Sequence, residues 1–453
     1  MNSRIHVKDK NLYDLMIETF LVISILFSFF AASPEFPWTR GVVMAMALLM
    51  TGVWLLQGVR QNPIRSVPIP VWILVLIAGS LTSIYLVPLS IDPRATTQAL
   101  MHGLSLAMIL IVVMSTVRTR GQIITLILVL TVAGLIQVAY GVAEQVGRDT
   151  RLMPDRHTLS LLSLTGTFFS GQNFSGLLEM IVPVSLGLFI ALSPRRTRSA
   201  PVRTRLVSFL PVKISSAQIF LGSSLIVLMA GICFSLSRAG VLCLIASWVG
   251  FALVFSMVIR LRARTISLLF VLMLILGIAL GLGSQMIIDR VERPTSEQTV
   301  SWPDRLDLWK ASLAMARDYP LLGAGPGTYA KAMNLILPEG SDKSAPLSPH
   351  SDLIKIACET GGLGLLAVLG TGLLLLCCLI RKTLAQKEAF HRCIATGCMI
   401  SICVMTVHSL YEGNLVGVTS NGVVFAVILG LWLAAAKAGD GAIALREGTE
   451  CGH

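Results

Sequence analysis

Long apolar runs alternate with short polar breaks along almost the whole chain. Twelve stretches of mostly apolar residues lie at roughly 15–33, 41–57, 69–88, 99–117, 121–142, 175–193, 215–236, 239–259, 265–287, 352–380, 393–411 and 419–436. Each is about 20 residues long, the length an α-helix needs to cross the hydrocarbon core of a bilayer. Backbone groups in lipid must find their partners inside the segment, so the pattern predicts an all-α fold. The expected architecture is a polytopic membrane helical bundle of about 12 transmembrane helices, one integral membrane domain over 1–453. The first run is followed by Pro34-Glu35-Phe36-Pro37 and no small-residue cleavage site, which predicts a retained span.

Two polar breaks are too long to be simple connectors: 143–174 and 288–351. The first holds Arg148, Arg151, Arg156 and His157, then a Gly-, Thr- and Ser-rich stretch that leads into Asn173. In the second, Ser301-Trp302-Pro303-Asp304 combines a serine cap, a proline in the first turn and an acidic residue three after the serine, a good helix start. Leu306, Trp309, Leu313 and Ala316 follow at helical spacing, so a short amphipathic helix is expected at the outer membrane surface, ended by Pro320.

Composition agrees with the pattern: 54% hydrophobic residues, 13% charged residues and a mean hydropathy of +0.78 leave no room for a separate soluble domain. The charge sets the orientation. With the N-terminus cytoplasmic, the inward segments hold most of the 36 lysines and arginines, including Arg195, Arg196, Arg198, Arg203 and Arg205, as the positive-inside rule requires. Both termini are then cytoplasmic and both long segments face outward. A net charge of +12 is thus a topology signal, with contacts to anionic membrane lipids, and not a nucleic-acid footprint. The nine cysteines avoid the long outer segments, which argues against a disulfide framework; Cys393, Cys398 and Cys403 recur every five residues, which spreads them around a helix and away from a shared metal site.

The outer face gathers a small set of candidate groups. Arg238 sits in the tight Ser237-Arg238-Ala239-Gly240 turn, where it either snorkels or faces a wet cavity. Arg305 lies four residues before Trp309, on one helical face with it; the alternatives are an interfacial snorkelling arginine and a ligand contact. His350 follows Pro349 and precedes Ser351-Asp352, of which either Ser351 or Asp352 is expected to cap the next helix. The run Gly323-Ala324-Gly325-Pro326-Gly327 lacks a preceding strand, and Pro326 removes a donor, so it reads as a tight turn and not as a phosphate loop.

Jointly these residues resemble the O-antigen ligase and O-antigen polymerase superfamily. The resemblance rests on Arg305-x-x-x-Trp309, the segment Asp318-Tyr319-Pro320-Leu321-Leu322-Gly323-Ala324-Gly325-Pro326-Gly327, His350-Ser351-x-Leu353 and Glu359-x-Gly361-Gly362-Leu363-Gly364-Leu365, with Ser237-Arg238-Ala239-Gly240 and Asn173-x-x-Gly176 upstream. It is clearest over 165–365. It implies an inverting, metal-independent glycosyltransferase without cofactors in the bacterial inner membrane, with its active site facing the periplasm. The implied donor is an undecaprenyl-pyrophosphate-linked glycan and the implied acceptor a sugar hydroxyl on lipid A-core or on another glycan; ligase and repeat-unit polymerase both remain open. Arg238 and Arg305 would hold the diphosphate, and His350 would act as general base or positioning group. Asn173, Arg148, Arg151, Arg156 and Arg317 are the expected substrate contacts, with His408, Tyr411 and Glu412 as further candidates at the outer end of the eleventh span.

The rival from another class is a twelve-span transporter, suggested by the basic segment 194–214 that separates six spans from six. Against it, the loop from Gln57 to Pro70 lacks an acidic, glycine-rich signature, and no repeat relates the halves. A flippase or a structural envelope protein would have no need of His350.

Overall fold

The computed structural model describes residues 12–30, 37–60, 87–146, 163–168, 170–193, 215–258, 302–336 and 348–450. The expected spans 265–287 and most of 69–88 lie outside the described residues, as do Arg148, Arg151, Arg156, His157 and the basic run 194–214.

Among the described residues the chain forms twelve α-helices, one 3-10 turn at Val87–Leu89 and no strand. In chain order they are α1 Leu12–Phe30, α2 Pro37–Arg60, α3 Pro93–Thr116, α4 Arg120–Val146, α5 Gly171–Ala191, α6 Ser216–Phe234, α7 Arg238–Val258, α8 Trp302–Asp318, α9 Tyr329–Ile336, α10 Asp352–Ala385, α11 Ala389–Ser409 and α12 Thr419–Glu450. Nine contain segments long and apolar enough to cross a membrane, and the Arg238–Val254 part of α7 is apolar but shorter. Ten of the twelve expected spans are therefore helices here, and the fold is the polytopic helical bundle that the hydropathy pattern predicts.

Helices α5 and α12 form the centre, with 83% and 94% of their apolar windows buried, whereas α10 buries 6% and presents Leu366, Leu369, Leu373 and Leu374 outward. Helix α5 packs most intimately on α11, and small residues permit the approach. A Cβ on Gly187 would come 2.7 Å from the Cys393 carbonyl oxygen, and one on Gly397 would come 2.6 Å from that of Pro183. Pro183 lacks an N–H and interrupts the α5 ladder. One turn away, the Ser401 hydroxyl of α11 donates to the Met180 carbonyl at 2.8 Å, adding a hydrogen bond between the helices beside the interruption.

The two ends of the bundle differ in chemistry. At one end Arg120 pairs with Glu388, the Gln386 amide donates to the Ala435 carbonyl, and Trp432 Nε1 donates to Thr383 Oγ1 at 2.9 Å. The basic residues Arg118, Arg381 and Lys382 also lie at this end. At the opposite end a smaller core of Met315, Ala324, Tyr329, Ala332, Met333 and Cys358 packs α8 and α9 against the start of α10. Tyr329 shares a 2.7 Å hydrogen bond with Ser312, and burial pushes its phenol up to about 12.

The sequence places Leu306 and Leu313 on the apolar stripe of α8, but both are about half exposed. The stripe turned inward carries Leu308, Ala311, Ser312, Met315 and Ala316. A helix at an interface has apolar residues on more than one face, and spacing alone does not choose between them.

The glycine run is an interlock. Gly323, Gly325 and Gly327 all have positive φ (+72°, +111° and +77°). The backbone N–H groups of Ala324 and Gly325 donate to the Cys358 and Glu359 carbonyls, at 3.0 and 2.9 Å, and a Cβ on Gly323 would lie 2.3 Å from the Glu359 backbone. Glu359 also turns its carboxylate to the Tyr329 N–H at 3.2 Å and so caps α9. With its amides already engaged by protein, this turn fits the tight-turn reading.

Candidate functional site

The site begins where α10 does. Ser351 caps the helix by accepting from the Ile354 N–H at 3.4 Å, and the chain reaches that cap through His350, whose φ of +52° is unusual for a residue with a side chain. Trp309 Nε1 donates to the Pro349 carbonyl at 2.9 Å and ties this corner to α8. The next residue, Asp352, accepts the N–H groups of Leu415 and Val416 at 2.8 and 3.4 Å, which anchors the 411–418 loop between α11 and α12.

That loop brings the candidates together. Glu412 Oε1 accepts from Arg305 Nη2 at 2.6 Å, and its Oε2 lies 3.4 Å from His350 Nδ1. Arg305 Nη1 also donates to the Tyr411 carbonyl at 3.1 Å. The Glu412 side chain is buried at 6% exposed and that of Arg305 is mostly covered at 11%, whereas His350 keeps 34% of its side-chain surface open. One carboxylate therefore neutralises an inward-turned guanidinium and holds an imidazole that can still meet a ligand.

Behind this cluster, one helical turn back along α11, His408 Nδ1 lies 2.8 Å from Glu179 Oε2 of α5, with neither side chain exposed. Cys243 of α7 completes a group with them whose potential ligand atoms all lie within 4.8 Å of one another and could hold a metal ion. A Cβ on Gly240 would come 3.0 Å from Glu179 Oε1, so the Ser237-Arg238-Ala239-Gly240 turn must approach α5 closely. Arg238 starts α7 just after Leu236, which has a φ of +54°, and its side chain is exposed at the N-terminal end of the helix. Asn173 lies in the first turn of α5; its carbonyl accepts from Asn421 Nδ2 at 3.2 Å, and Asn421 also reaches Asn414 Oδ1 at 3.4 Å.

Arg305, His350, Tyr411 and Glu412 thus form one cluster. Arg238, Asn173 and His408 stand around it at the same end of the bundle. Arg317 is exposed in the last turn of α8, about 18 Å along the helix axis from Arg305 at 1.5 Å per residue. Sequence reasoning passed over Glu179 and Arg40, and saw Asp352 only as a candidate helix cap and not as the anchor of the 411–418 loop. A carboxylate in the middle of an apolar span is itself a signal, because it must be paired there, and Glu179 carries that signal. A cavity of about 270 Å³ lined by Leu15, Glu18, Thr116, Gln122 and Leu126 lies at the basic end, away from the cluster.

Fold and site together define a polytopic helical membrane protein with an ionic cluster, part sealed and part open, at one bundle end. Residues 222–369 match the family model described as O-antigen ligase, which supports the O-antigen ligase and polymerase superfamily and a membrane enzyme acting on polysaccharides. The matched segment includes Arg238, Arg305, the glycine interlock, His350 and Glu359; Asn173, Glu179, His408 and Glu412 lie outside it. No curated protein matches the chain.

Proposed function

We propose that the protein is an O-antigen ligase-like glycosyltransferase that moves a glycan from undecaprenyl pyrophosphate to an acceptor sugar hydroxyl at the periplasmic face of the bacterial inner membrane. The observation that carries this reading is the Glu412 carboxylate shared by Arg305 and His350, the last two of which lie within the segment that matches the O-antigen ligase family model. The acceptor oxygen attacks the anomeric carbon as the bond from that carbon to the pyrophosphate oxygen breaks. The electron pair leaves on the pyrophosphate, and a single displacement inverts the anomeric centre. Arg305 and Arg238 face that leaving charge; a guanidinium pairs with phosphate bidentately and stays charged throughout. Glu412 opposite His350 Nδ1 favours the tautomer with the proton on Nδ1, which leaves Nε2 free to take the hydroxyl proton. General-base assistance of this kind contributes about 10²- to 10⁴-fold.

The test uses the full chain in nanodiscs with an undecaprenyl-pyrophosphate oligosaccharide and two acceptors, lipid A-core and a second copy of the lipid-linked glycan. Transfer to lipid A-core defines a ligase, and chain lengthening defines a polymerase. Arg238→Ala and Arg305→Ala should each abolish transfer while the protein still inserts. Near-normal transfer by both variants would remove the assignment.

A further inference from the structure

Arg40 takes no part in the chemistry above, yet it lies at the same end of the bundle. It occupies the first turn of α2, half-buried, and its hydrogen bond among the described residues runs from Nη2 to the Gly417 carbonyl at 3.3 Å. A guanidinium carries five N–H donors. Arg40 makes no ion pair with a carboxylate among the described residues, and most of its N–H donors have no acceptor among them. Arginine near the end of a spanning helix is costly unless it pairs, reaches water or meets an anion.

Three observations narrow the choice. Within electrostatic reach of Arg40 lies His102 of α3, 9% exposed, whose Nδ1 has no hydrogen-bond partner among the described residues. Gly417 belongs to the same 411–418 loop as Glu412, and a Cβ on it would come 3.0 Å from the Gly413 carbonyl oxygen. Arg305 therefore holds one end of this loop, at 411 and 412, while Arg40 holds the other, at 417. Below Arg40, α2 exposes Leu48, Leu49, Leu55 and Leu56, an apolar surface along which a lipid tail can lie. Glu359 is also within electrostatic reach of Arg40, but its carboxylate is directed to the Tyr329 N–H at the start of α9.

We propose that Arg40, with His102 beside it, forms a second phosphate subsite that takes the headgroup phosphate of a lipid-linked substrate at the far end of the 411–418 loop from Arg305. The inference rests on the glycosyltransferase reading. Its ligand chemistry, a phosphate on a lipid anchor, is common to the undecaprenyl diphosphate of the donor and the phosphates of a lipid A acceptor. Arg supplies the matching planar fork.

The experiment measures binding apart from transfer. Full-length wild type, Arg40→Gln, Glu359→Gln and the double variant, each in phosphatidylcholine nanodiscs, are titrated with undecaprenyl diphosphate and, separately, with lipid A. Arg40→Gln should weaken one of the two by about tenfold or more, the scale of a lost hydrogen bond to a charged group, with its melting temperature unchanged. Loss with undecaprenyl diphosphate assigns the subsite to the donor, and loss with lipid A assigns it to the acceptor. Equal affinities for wild type and Arg40→Gln would overturn the proposal while leaving the function intact. Recovery of affinity in the double variant would make Arg40 a counter-ion of Glu359 and overturn it too. So would an effect confined to retention of phosphatidylglycerol in mixed discs, because that would mark a contact for bulk lipid. A wild type that binds neither lipid would count against the glycosyltransferase reading itself.

Discussion

Two carboxylate and imidazole pairs lie one helical turn apart at the C-terminal end of α11, and they differ in everything except composition. Glu179 and His408 face each other at 2.8 Å from two tightly packed helices, fully sealed. Glu412 and His350 are 3.4 Å apart, on a loop and on a helix cap; the imidazole is one-third open and its backbone sits at a positive φ. The first pair lies where α5, α7 and α11 meet and helps set their register, because separating it would strand polar groups in an apolar interior. The second has a ring that can reach a substrate and a carboxylate that also serves Arg305. The same two functional groups make a structural clasp or a candidate reaction centre, depending on solvent access and on the third partner.

Mutations that exchange the two roles test this contrast most strongly. His350→Ala should lower kcat for transfer by about 10²- to 10⁴-fold with an unchanged melting curve; full activity would erase the distinction. Glu179→Ala should do the opposite, costing about 3 kcal/mol of stability by leaving His408 sealed without its partner, while the folded fraction retains transfer. Calorimetry or thermal fluorescence beside a transfer assay reads both, and loss of transfer in a fully stable Glu179→Ala protein would move that pair into the reaction centre. Glu412→Gln keeps shape but removes charge, so it should move both readouts: transfer down about ten- to hundredfold, and a lower melting temperature from an undercompensated Arg305. An effect on only one readout would mean that Glu412 serves only one of its two partners.

Smaller effects are expected outside the pairs. Gly323→Ala should cost about 1–3 kcal/mol, because an alanine there is strained at positive φ and meets the Glu359 backbone; transfer should fall only through the folded fraction. Asp92 is the least consequential. It caps α3 and pairs with Lys331 at 3.0 Å, and this ion pair, then the cap, holds its carboxyl below the usual carboxylate range. A lowered native value means that its stabilisation is fully present above about pH 4, the ordinary carboxyl value, and is lost as the pH falls from there through the lower native value. Asp92→Asn should lose that small acid-side slope in a pH series of melting curves and nothing else.

Much of the architecture was legible in the chain. Spans such as 121–142, 175–193 and 393–411 are helices within about four residues of their expected ends, because a spanning segment must be long, apolar and internally hydrogen-bonded. The serine cap before α10 and the stop before Pro320 were equally local. The inward stripe of α8 was not legible, because which of two apolar faces is covered depends on α9 and α10. The site was legible in part. Arg305 and His350 stood out as polar groups in a conspicuous outer segment, but Glu412 looked like one of several residues at a helix end. Only its position opposite both gives it a role.

What the sequence determined alone is what a period of 3.6, a bilayer thickness and a charge bias can dictate: an all-helical membrane bundle, its expected orientation, and a short register of outer-face cations with one histidine. What the tertiary structure decided is who shares a charge with whom. Arg305 and His350 lie 45 positions apart in the chain and Glu412 lies a further 62 on. The reach of an ion pair is a few ångströms, set by packing across α8, α10 and α11, so no local pattern along the chain could have revealed that they meet on one carboxylate.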